Sequence, residues 1–440
     1  MKIRFYNAQI ITMEETPSAS IRENNMGTEP FHGELHVAED KIVFVGTTDE
    51  AKKCVPAEEN AWDREIDCQG NLLLPGFKNA HTHSAMTFLR SYADDLPLQE
   101  WLYNRVFPME AKLTCEDQYT LSKLAMLEYL TSGITANFDM YLDNPTHARA
   151  SIDMGFRSVF CGGMNVFGGT IERTEAQFHE INAMDDLVSC RLGFHAEYTT
   201  KRESIEGLSE LANRLQKPMY LHLSETKKEV DECYERYGMS PVKFLDSVGM
   251  FNYGGGGFHG VWMNEEDMEI CAEKNVSIVS NPCSNLKLAS GIADLCGLLD
   301  KGVNVALGTD GSASNNALDM FREMYLASVL QKVTKKDASA MDACAVLRMA
   351  TVGGAIAMGL TDCDTLAAGK KADIIMIDMH RPNMQPVNNI AKNLVYSGSK
   401  ENVKMTMING KILYENREFL VDEDIEEIYR KSNEIIERMR

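Results

Sequence analysis

The sequence predicts a (β/α)8 barrel joined to a small β-sandwich that is built from both ends of the chain. Between residues 69 and 364, eight short apolar runs alternate with segments of helical periodicity, the pattern of a parallel barrel. On both flanks apolar and polar residues alternate with period two, which is typical of half-buried strands. Polar side chains also follow several of the apolar runs, at the strand ends that line a barrel's active site.

Each apolar run is short enough for a strand, and the intervals are long enough for helices. The eight predicted strands are Leu72–Ala80, Ile134–Met140, Arg157–Gly162, Arg191–Tyr198, Met219–Ser224, Gly257–Trp262, Val276–Asn281 and Val303–Thr309. The clearest predicted helices are Cys115–Ser132, Glu203–Gln216, Lys227–Val248, Glu265–Lys274 and Ile292–Lys301. The four-glycine run Gly254–Gly257 is interpreted as a flexible approach to the sixth strand.

The two predicted domains divide the chain unequally. Residues 69–364 form the barrel, and residues 1–68 together with 365–440 form the composite β-sandwich. The tail from Ile425 to Met439 has its apolar residues spaced for an amphipathic helix.

Composition is ordinary for a soluble enzyme, with 44% hydrophobic and 25% charged residues. The formal charge of −21 argues against a nucleic-acid polymer as partner, but it does not exclude a small neutral or zwitterionic ligand. Eleven cysteines without a C-x-x-C pair favour free thiols in a reducing cytoplasm. No run approaches the roughly 20 apolar residues of a membrane helix, and the first residues read as a strand rather than a signal peptide. We therefore expect a cytoplasmic protein without a membrane partner.

His81 and His83 are the strongest chemical signal in the chain. They end the first apolar run, and residues i and i+2 of a strand point to the same face. Two imidazoles there can hold one cation. Alone, such a pair is weak evidence, because two strand histidines can equally be a surface or hydrogen-bonded pair.

Later strand ends strengthen the signal, because five of the ten histidines fall at such positions. In chain order, the polar residues at the predicted ends after the first strand are His195, His222, Glu225, His259 and Asp310. Imidazoles and a carboxylate suit a borderline ion such as Zn²⁺, which lowers the pKa of a bound water to about 7. Glu225 can then protonate a substrate, while His259 and Asp310 orient the water and accept its proton.

Each of these residues also has a structural interpretation when it is taken singly. His195 or His259 can be a hydrogen-bonded core histidine, and Glu225 can be a first-turn carboxylate at a helix N-terminus. Asp310 can be a turn residue. Cys283, near the predicted mouth, is interpreted as a buried structural thiol.

Several segments resemble the amidohydrolase superfamily, and more narrowly its 5-methylthioadenosine/S-adenosylhomocysteine deaminase group. The resemblance covers nearly the whole chain and is most specific in His222-Leu223-Ser224-Glu225-Thr226 and in residues 284–291. Further matching segments are Pro75–His83, Leu89-Arg90 with Asp94–Leu98, and Leu307–Gly311 with Ser314–Asn316.

The resemblance implies a distorted barrel that binds one divalent metal, with zinc expected first and iron or manganese as alternatives. It implies that the metal ligands are His81, His83, His222 and Asp310. It further implies that Glu225 hydrogen-bonds the purine N1, that His259 orients the attacking water, and that Glu110, His195 and Arg157 contact the substrate.

Three departures from the family pattern concern the substrate tail and the number of metals. Glu197 stands where the family usually has proline, and residues 161–165 lack a second arginine that the family often carries. Both departures leave the 5′-substituent open. The run that contains His195 offers no lysine that can bridge a second metal, which favours a single ion.

The site residues and the family resemblance together predict hydrolytic deamination of the 6-amino group of an adenosine-type nucleoside. Candidate substrates are 5-methylthioadenosine, S-adenosylhomocysteine, adenosine and 5′-deoxyadenosine. One alternative is a deaminase or chlorohydrolase that acts on guanine, cytosine or a triazine. Another is a non-catalytic barrel used for assembly, which would be expected to lose metal ligands. The sequence does not determine the oligomeric state and is compatible with a homo-oligomer.

Overall fold

The structure is a computed structural model that describes residues 1–15, 27–54, 61–165 and 168–440. Among these residues, seventeen strands form two sheets. The strands are β1 (Lys2–Ile10), β2 (Phe31–Ala38), β3 (Lys41–Gly46), β4 (Arg64–Asp67), β5 (Leu72–Pro75), β6 (Phe77–Thr82), β7 (Ile134–Tyr141), β8 (Arg157–Gly162), β9 (Val188–Ala196), β10 (Met219–Leu223), β11 (Gly255–His259), β12 (Val276–Ser280), β13 (Val305–Leu307), β14 (Ile374–Ile377), β15 (Val403–Ile408), β16 (Lys411–Glu415) and β17 (Glu418–Phe419).

Helices surround and connect these strands. The α-helices are α1 (Thr48–Cys54), α2 (Leu98–Trp101), α3 (Phe107–Glu110), α4 (Cys115–Thr131), α5 (Asn144–Met154), α6 (Ile171–Ile181), α7 (Arg202–Leu215), α8 (Lys227–Tyr237), α9 (Pro241–Ser247), α10 (Glu265–Glu273), α11 (Pro282–Lys287), α12 (Leu295–Asp300), α13 (Met320–Lys335), α14 (Ala343–Arg348), α15 (Gly354–Met358), α16 (Ile390–Tyr396) and α17 (Ile425–Met439). Short 3₁₀ segments cover Ser84–Leu89, Glu197–Thr199, Pro382–Met384 and Lys400–Asn402, and π-helical turns cover Leu102–Val106 and Met349–Gly353.

The barrel consists of the eight strands β6 to β13, which follow one another in chain order and pair in parallel. The sheet closes beyond its last strand, where the backbone N–H groups of Thr309 and Asp310 donate to the carbonyl of His81, at 3.1 and 3.0 Å. This architecture confirms the predicted barrel. It also brings the carboxyl ends of all eight strands to one mouth.

The second unit is a nine-stranded mixed sheet with both chain ends in it, as predicted. Its order is β17-β16-β15-β14-β5-β1-β2-β3, and β4 pairs with β1. Ile3, Phe5, Met405 and Met407 belong to its own buried core. The division of the chain at residues 69 and 364 stays a proposal.

The predicted first barrel strand, Leu72–Ala80, is in fact two strands. Leu72–Pro75 pairs with β1 and β14 in the mixed sheet, and only Phe77–Thr82 enters the barrel. Gly76 separates them, and a Cβ there would lie 2.0 Å from Thr135 Cγ2. The apolar run continues through both strands because each is buried on both faces.

Two other local predictions are corrected. The segment Lys227–Val248 forms two helices, because Gly238 takes a left-handed conformation (φ 72°) and Ser240 caps the helix that begins at Pro241. The glycines Gly255–Gly257 lie inside β11 rather than in a flexible approach. A Cβ on Gly255 would lie 2.3 Å from the carbonyl oxygen of Met219, and one on Gly257 would lie 2.5 Å from Leu223 Cδ2. These glycines therefore allow close contact between strands.

The C-terminal amphipathic helix is confirmed as α17, which buries Ile428, Ile435 and Met439. No helix among the described residues is long and apolar enough to cross a membrane.

Candidate metal-dependent active site

A cavity of about 880 Å³ opens at the carboxyl ends of the barrel strands. It collects residues that are far apart in the sequence, as the barrel prediction requires. The sequence-predicted site residues that line it are His83, Glu110, His195, His222, Glu225, His259 and Asp310. His81 lies fully buried beside this group.

Four of these side chains converge on one point. His81 Nε2 lies 3.6 Å from Asp310 Oδ1, and His83 Nε2 lies 3.3 Å from the same oxygen. His222 Nε2 is 3.4 Å from His83 Nε2. Both ring nitrogens of His81 are buried without a hydrogen-bond partner among the described residues. Buried nitrogens are rarely left unpaired, so this arrangement fits a bound cation.

Contacts behind the cluster turn the imidazoles toward its centre. His83 Nδ1 is within hydrogen-bond distance of the Met140 carbonyl, and His222 Nδ1 lies 2.8 Å from the His195 carbonyl. A carbonyl only accepts, so each Nδ1 carries the hydrogen and each Nε2 is left to bind a metal. The Ser284 and Ser314 hydroxyls donate to Asp310 Oδ2 at 2.5 and 2.9 Å and fix its carboxylate.

The electrostatics of the cluster also suit a cation. Burial lowers the pKa of His81 and of His222 well below the usual value, so both rings are neutral ligands. Burial opposes the charged form of Asp310 too, but His83 holds the pKa of that carboxyl well below its usual range. Burial opposes a charged His83 as well, but Asp310 raises the pKa of that ring to about 9, so a bound cation would displace a proton from it. Three imidazole nitrogens and one carboxylate are a ligand set that Zn²⁺ and similar divalent ions accept.

Glu225 and His259 form the side of the cavity next to the cluster. His259 Nδ1 lies 2.8 Å from Asn285 Oδ1, and its Nε2 is 3.8 Å from Glu225 Oε2. Burial raises the pKa of Glu225, which favours its protonated form. His259 and Asp310 have positive φ angles of 79° and 57°. Such backbone strain at non-glycine residues is common at active sites.

Glu229 is a supporting residue that the sequence reasoning missed. Its buried carboxylate accepts hydrogen bonds from the backbone N–H groups of Ser224 and Glu225, at 2.7 and 2.8 Å. The available signal was Thr226 followed three residues later by Glu229, which is a helix-start pattern. In the structure Thr226 caps α8, and the Glu229 carboxylate holds the turn that presents Glu225.

Glu110 and His195 lie on the cavity wall where the sequence placed them. Burial raises the pKa of Glu110, which lies close to the buried hydroxyl of Tyr141. Burial lowers the pKa of His195 to about 4, so its ring is neutral. Its Nδ1 lies 2.8 Å from Thr199 Oγ1, and that hydroxyl also donates to the Ala196 carbonyl. His195 Nε2 is therefore an acceptor.

Arg157 does not reach the cavity, which corrects its predicted contact with the substrate. It is the first residue of β8, so it lies at the end of the barrel opposite the mouth. Its guanidinium donates to both oxygens of Asp373, at 2.7 and 3.1 Å, and is 2% exposed. Arg157 thus joins the barrel to the mixed sheet. Glu197 also points away from the cavity, and its carboxylate pairs with Arg236 at 2.6 Å.

Sequence reasoning also left out Gln118 and His147, which lie behind the Glu110 side of the cavity. Gln118 lines the cavity from α4, and its Oε1 lies 3.2 Å from Nε2 of His147 on α5. Neither residue stands at the carboxyl end of a barrel strand. Only the packing of the two helices brings them together, so no local pattern marks them.

A parallel barrel whose mouth gathers histidines, a carboxylate and a buried acid defines the class of metal-dependent barrel hydrolases. The chain belongs to the amidohydrolase family, which matches residues 72–413. It is 38% identical to the 5′-deoxyadenosine deaminase of Methanobrevibacter smithii, over 95% of this chain and 96% of that protein. It is 36% identical to the 5-methylthioadenosine/S-adenosylhomocysteine deaminase of Thermoanaerobacter pseudethanolicus, with both chains fully covered.

A solved structure is similar over the same length. The crystal structure of an adenosine deaminase from Xanthomonas campestris with bound zinc superposes with a TM-score of 0.89 at 33% identity. The match covers 100% of this chain and 98% of that one. The similarity therefore extends over the mixed sheet as well as the barrel.

Proposed function

We propose that the protein hydrolytically removes the 6-amino group of an adenosine-type nucleoside and releases ammonia and the inosine-type product. The observation that carries the proposal is the convergence of His81, His83, His222 and Asp310 beside the buried acid Glu225. Relatives with 36 and 38% identity over nearly the whole chain carry the names of deaminases for such nucleosides. Our candidate substrates are 5-methylthioadenosine, S-adenosylhomocysteine, adenosine and 5′-deoxyadenosine.

We assign the metal site to His81, His83, His222 and Asp310, and we propose zinc as the ion. A bound divalent ion supplies a water whose pKa falls to about 7. The imidazoles are oriented for this role by their hydrogen bonds to backbone carbonyls. Divalent iron or manganese would bind the same donors with lower affinity than zinc.

The protein's own residues carry the proton transfers. His259 and Asp310 orient the attacking water, and Asp310 takes its proton. Glu225 donates a hydrogen bond to the purine N1 and transfers its proton there as C6 becomes tetrahedral. Asp310 then passes the proton that it took from water to N6, the C6–N6 bond breaks, and ammonia leaves. The proton of the C6 hydroxyl returns to Glu225 as the carbonyl forms at C6. General acid–base catalysis of this kind contributes about 10²- to 10⁴-fold to the rate.

The remaining wall of the cavity positions the nucleoside. Glu110 is buried on the cavity wall and is suited to accept hydrogen bonds from the ribose hydroxyls. His195 lies on the cavity wall with a neutral ring that is available to contact the purine. These two residues hold the sugar and the base while the reaction takes place at C6.

The first test measures the loss of adenosine absorbance by the purified, zinc-loaded protein, with and without a chelator. Activity that a chelator removes and zinc restores supports the proposal. A fully metallated protein that deaminates none of the four nucleosides refutes it.

A second test separates nucleosides from free bases. Glu110→Ala is expected to raise the KM for adenosine at least tenfold, because the ribose hydroxyls lose their acceptor. Activity on guanine or cytosine would be unaffected by that change. A protein that prefers a free base, with the same KM in wild type and Glu110→Ala, would belong to the alternative class of amino-heteroaromatic hydrolases. Cytoplasmic location and homo-oligomerisation remain predictions.

A further inference from the structure

We propose that Gln118 is a further substrate-binding residue, and that it selects nucleosides with a hydroxyl group at the 5′ position. The inference rests on the proposed nucleoside deamination and names the preferred substrate of the same cavity. It concerns a polar group that the deamination steps do not use.

Gln118 presents a polar atom to the cavity. It lies in the first turns of α4, is 4% exposed, and lines the cavity. Its Oε1 lies 3.2 Å from His147 Nε2. The structure shows no partner for its Nε2 among the residues that it describes. A buried amide that has one end held and the other end open to a cavity is suited to bind a ligand.

A buried histidine and aspartate hold this amide in place. His147 is fully buried, and its Nδ1 lies 3.2 Å from Asp139 Oδ2. Asp139 Oδ1 in turn accepts a hydrogen bond from the backbone N–H of Ser84 at 3.0 Å. The carboxylate takes the Nδ1 hydrogen, and His147 Nε2 can bind either the oxygen or the NH₂ group of the amide. Either way, one polar end of Gln118 is left facing the cavity.

A hydroxyl is the ligand group that fits both cases. It can accept a hydrogen bond from the amide NH₂ and can donate one to the amide oxygen. A methyl group does neither, and a thioether sulfur is only a weak acceptor. The clamped amide therefore favours an oxygen substituent over an apolar one.

The position of Gln118 matches the 5′ end of a bound nucleoside. The His83 ring at the metal cluster is 6.4 Å from the Tyr141 ring, which is 5.4 Å from the His147 ring. Gln118 adjoins His147, so a series of contacts leads from the cluster through Tyr141 and His147 to Gln118. With C6 of the purine at the cluster and the ribose at Glu110, beside Tyr141, the 5′-carbon extends toward Gln118.

The test compares adenosine with 5′-deoxyadenosine, which differ only by the 5′-oxygen. We expect the wild type to show a kcat/KM for adenosine at least tenfold higher, because the deoxy substrate leaves the buried amide unpaired. Gln118→Leu keeps a similar volume but removes both polar atoms. Its adenosine-to-deoxyadenosine ratio is expected to fall at least fivefold below that of the wild type.

His147→Phe tests the positioning role of the histidine. It keeps a planar ring but removes both nitrogens, so the amide loses its anchor. We expect the substrate ratio to fall in the same direction, and this ratio is a readout that simple destabilisation would not move. Gln177→Leu is the matched control, because Gln177 also lines the cavity but lies half-buried on α6. Its ratio should equal that of the wild type.

Two results would overturn the inference without touching the proposed function. One is a wild type that deaminates 5′-deoxyadenosine as efficiently as adenosine, a result that needs no folded variant. The other is a Gln118→Leu protein that retains the wild-type ratio. A wild type that deaminates 5-methylthioadenosine or S-adenosylhomocysteine but neither of these two nucleosides would also overturn the inference alone. A wild type that deaminates none of the four candidate nucleosides would instead refute the proposed function, and this inference with it.

Discussion

Arg157 offers a sharp test of the structure, because the sequence placed it at the substrate and the structure places it in a buried ion pair. Arg157→Leu removes the two hydrogen bonds to Asp373, at 2.7 and 3.1 Å. The guanidinium holds the pKa of the Asp373 carboxyl below its usual value although burial opposes this. The substitution would leave that carboxylate buried with the Asn409 backbone N–H at 2.8 Å but without the cation that hydrogen-bonds it, so that only the charge of Lys78 still acts on it.

The expected cost follows from measured cases of this kind. Breaking a buried ion pair by removing one partner costs about 3–5 kcal/mol. Unfolding entropy is about 2.1 cal/mol/K per residue near 60 °C, so a 440-residue chain changes stability by about 0.9 kcal/mol per degree. Arg157→Leu should therefore lower the Tm by about 3–5 °C.

The assay is thermal unfolding together with steady-state kinetics on adenosine. The KM should stay within about twofold of the wild type, because Arg157 lies at the end of the barrel away from the cavity. Arg202→Leu is the control, since its exposed pair with Glu206 should leave the Tm within about 1 °C. A tenfold rise in KM with an unchanged Tm would refute the structural role and restore Arg157 to the substrate site.

Three further predictions concern the site and its supports. Dialysis against a chelator should abolish activity and lower the Tm, and zinc should restore both; full activity in metal-free protein would contradict the assigned ligands. Glu225→Gln should lower kcat by about 10²- to 10⁴-fold and leave KM within about threefold of the wild type, as measured by stopped-flow absorbance. A KM that rises by the same factor as kcat falls would argue against a proton-transfer role. Burial raises the pKa of Glu323 to about 7, so the folded protein keeps a proton that the unfolded chain releases near pH 4.5. Stability should therefore fall by at most about 3 kcal/mol as the pH rises from about 4.5 to 7. Denaturant titrations over this pH range should show a smaller fall in the unfolding free energy of Glu323→Gln than in that of the wild type. The same pH dependence of the unfolding free energy in both proteins would contradict the assignment.

The strand-end residues were predictable because barrel geometry leaves few alternatives for them. His81, His83, His222 and Asp310 each stand at or just past the end of an apolar run, and parallel strands deliver such ends to one mouth. Alternation of short runs with helices was enough to place them. No local detail of the loops was required.

Other features depended on packing that no local pattern records. Arg157 begins its run rather than ending it, and this position was the available sign that it lies at the opposite end of the barrel. The contact between Gln118 and His147 joins two helices and involves no strand end. The glycines of β11 read as flexible because the sequence does not show the Met219 carbonyl and the Leu223 side chain that exclude a Cβ.

The pairing of Leu72–Pro75 with Ile374–Ile377 has a consequence for biosynthesis. These partners are separated by about 300 residues, which a ribosome adds in roughly 15–60 s at 5–20 residues per second. Throughout that time one edge of Leu72–Pro75 has no neighbour, although its leucines are fully buried in the finished protein. The nascent chain thus exposes an apolar strand edge while the barrel is being synthesised. During this interval a chaperone that covers the edge would protect the chain against aggregation.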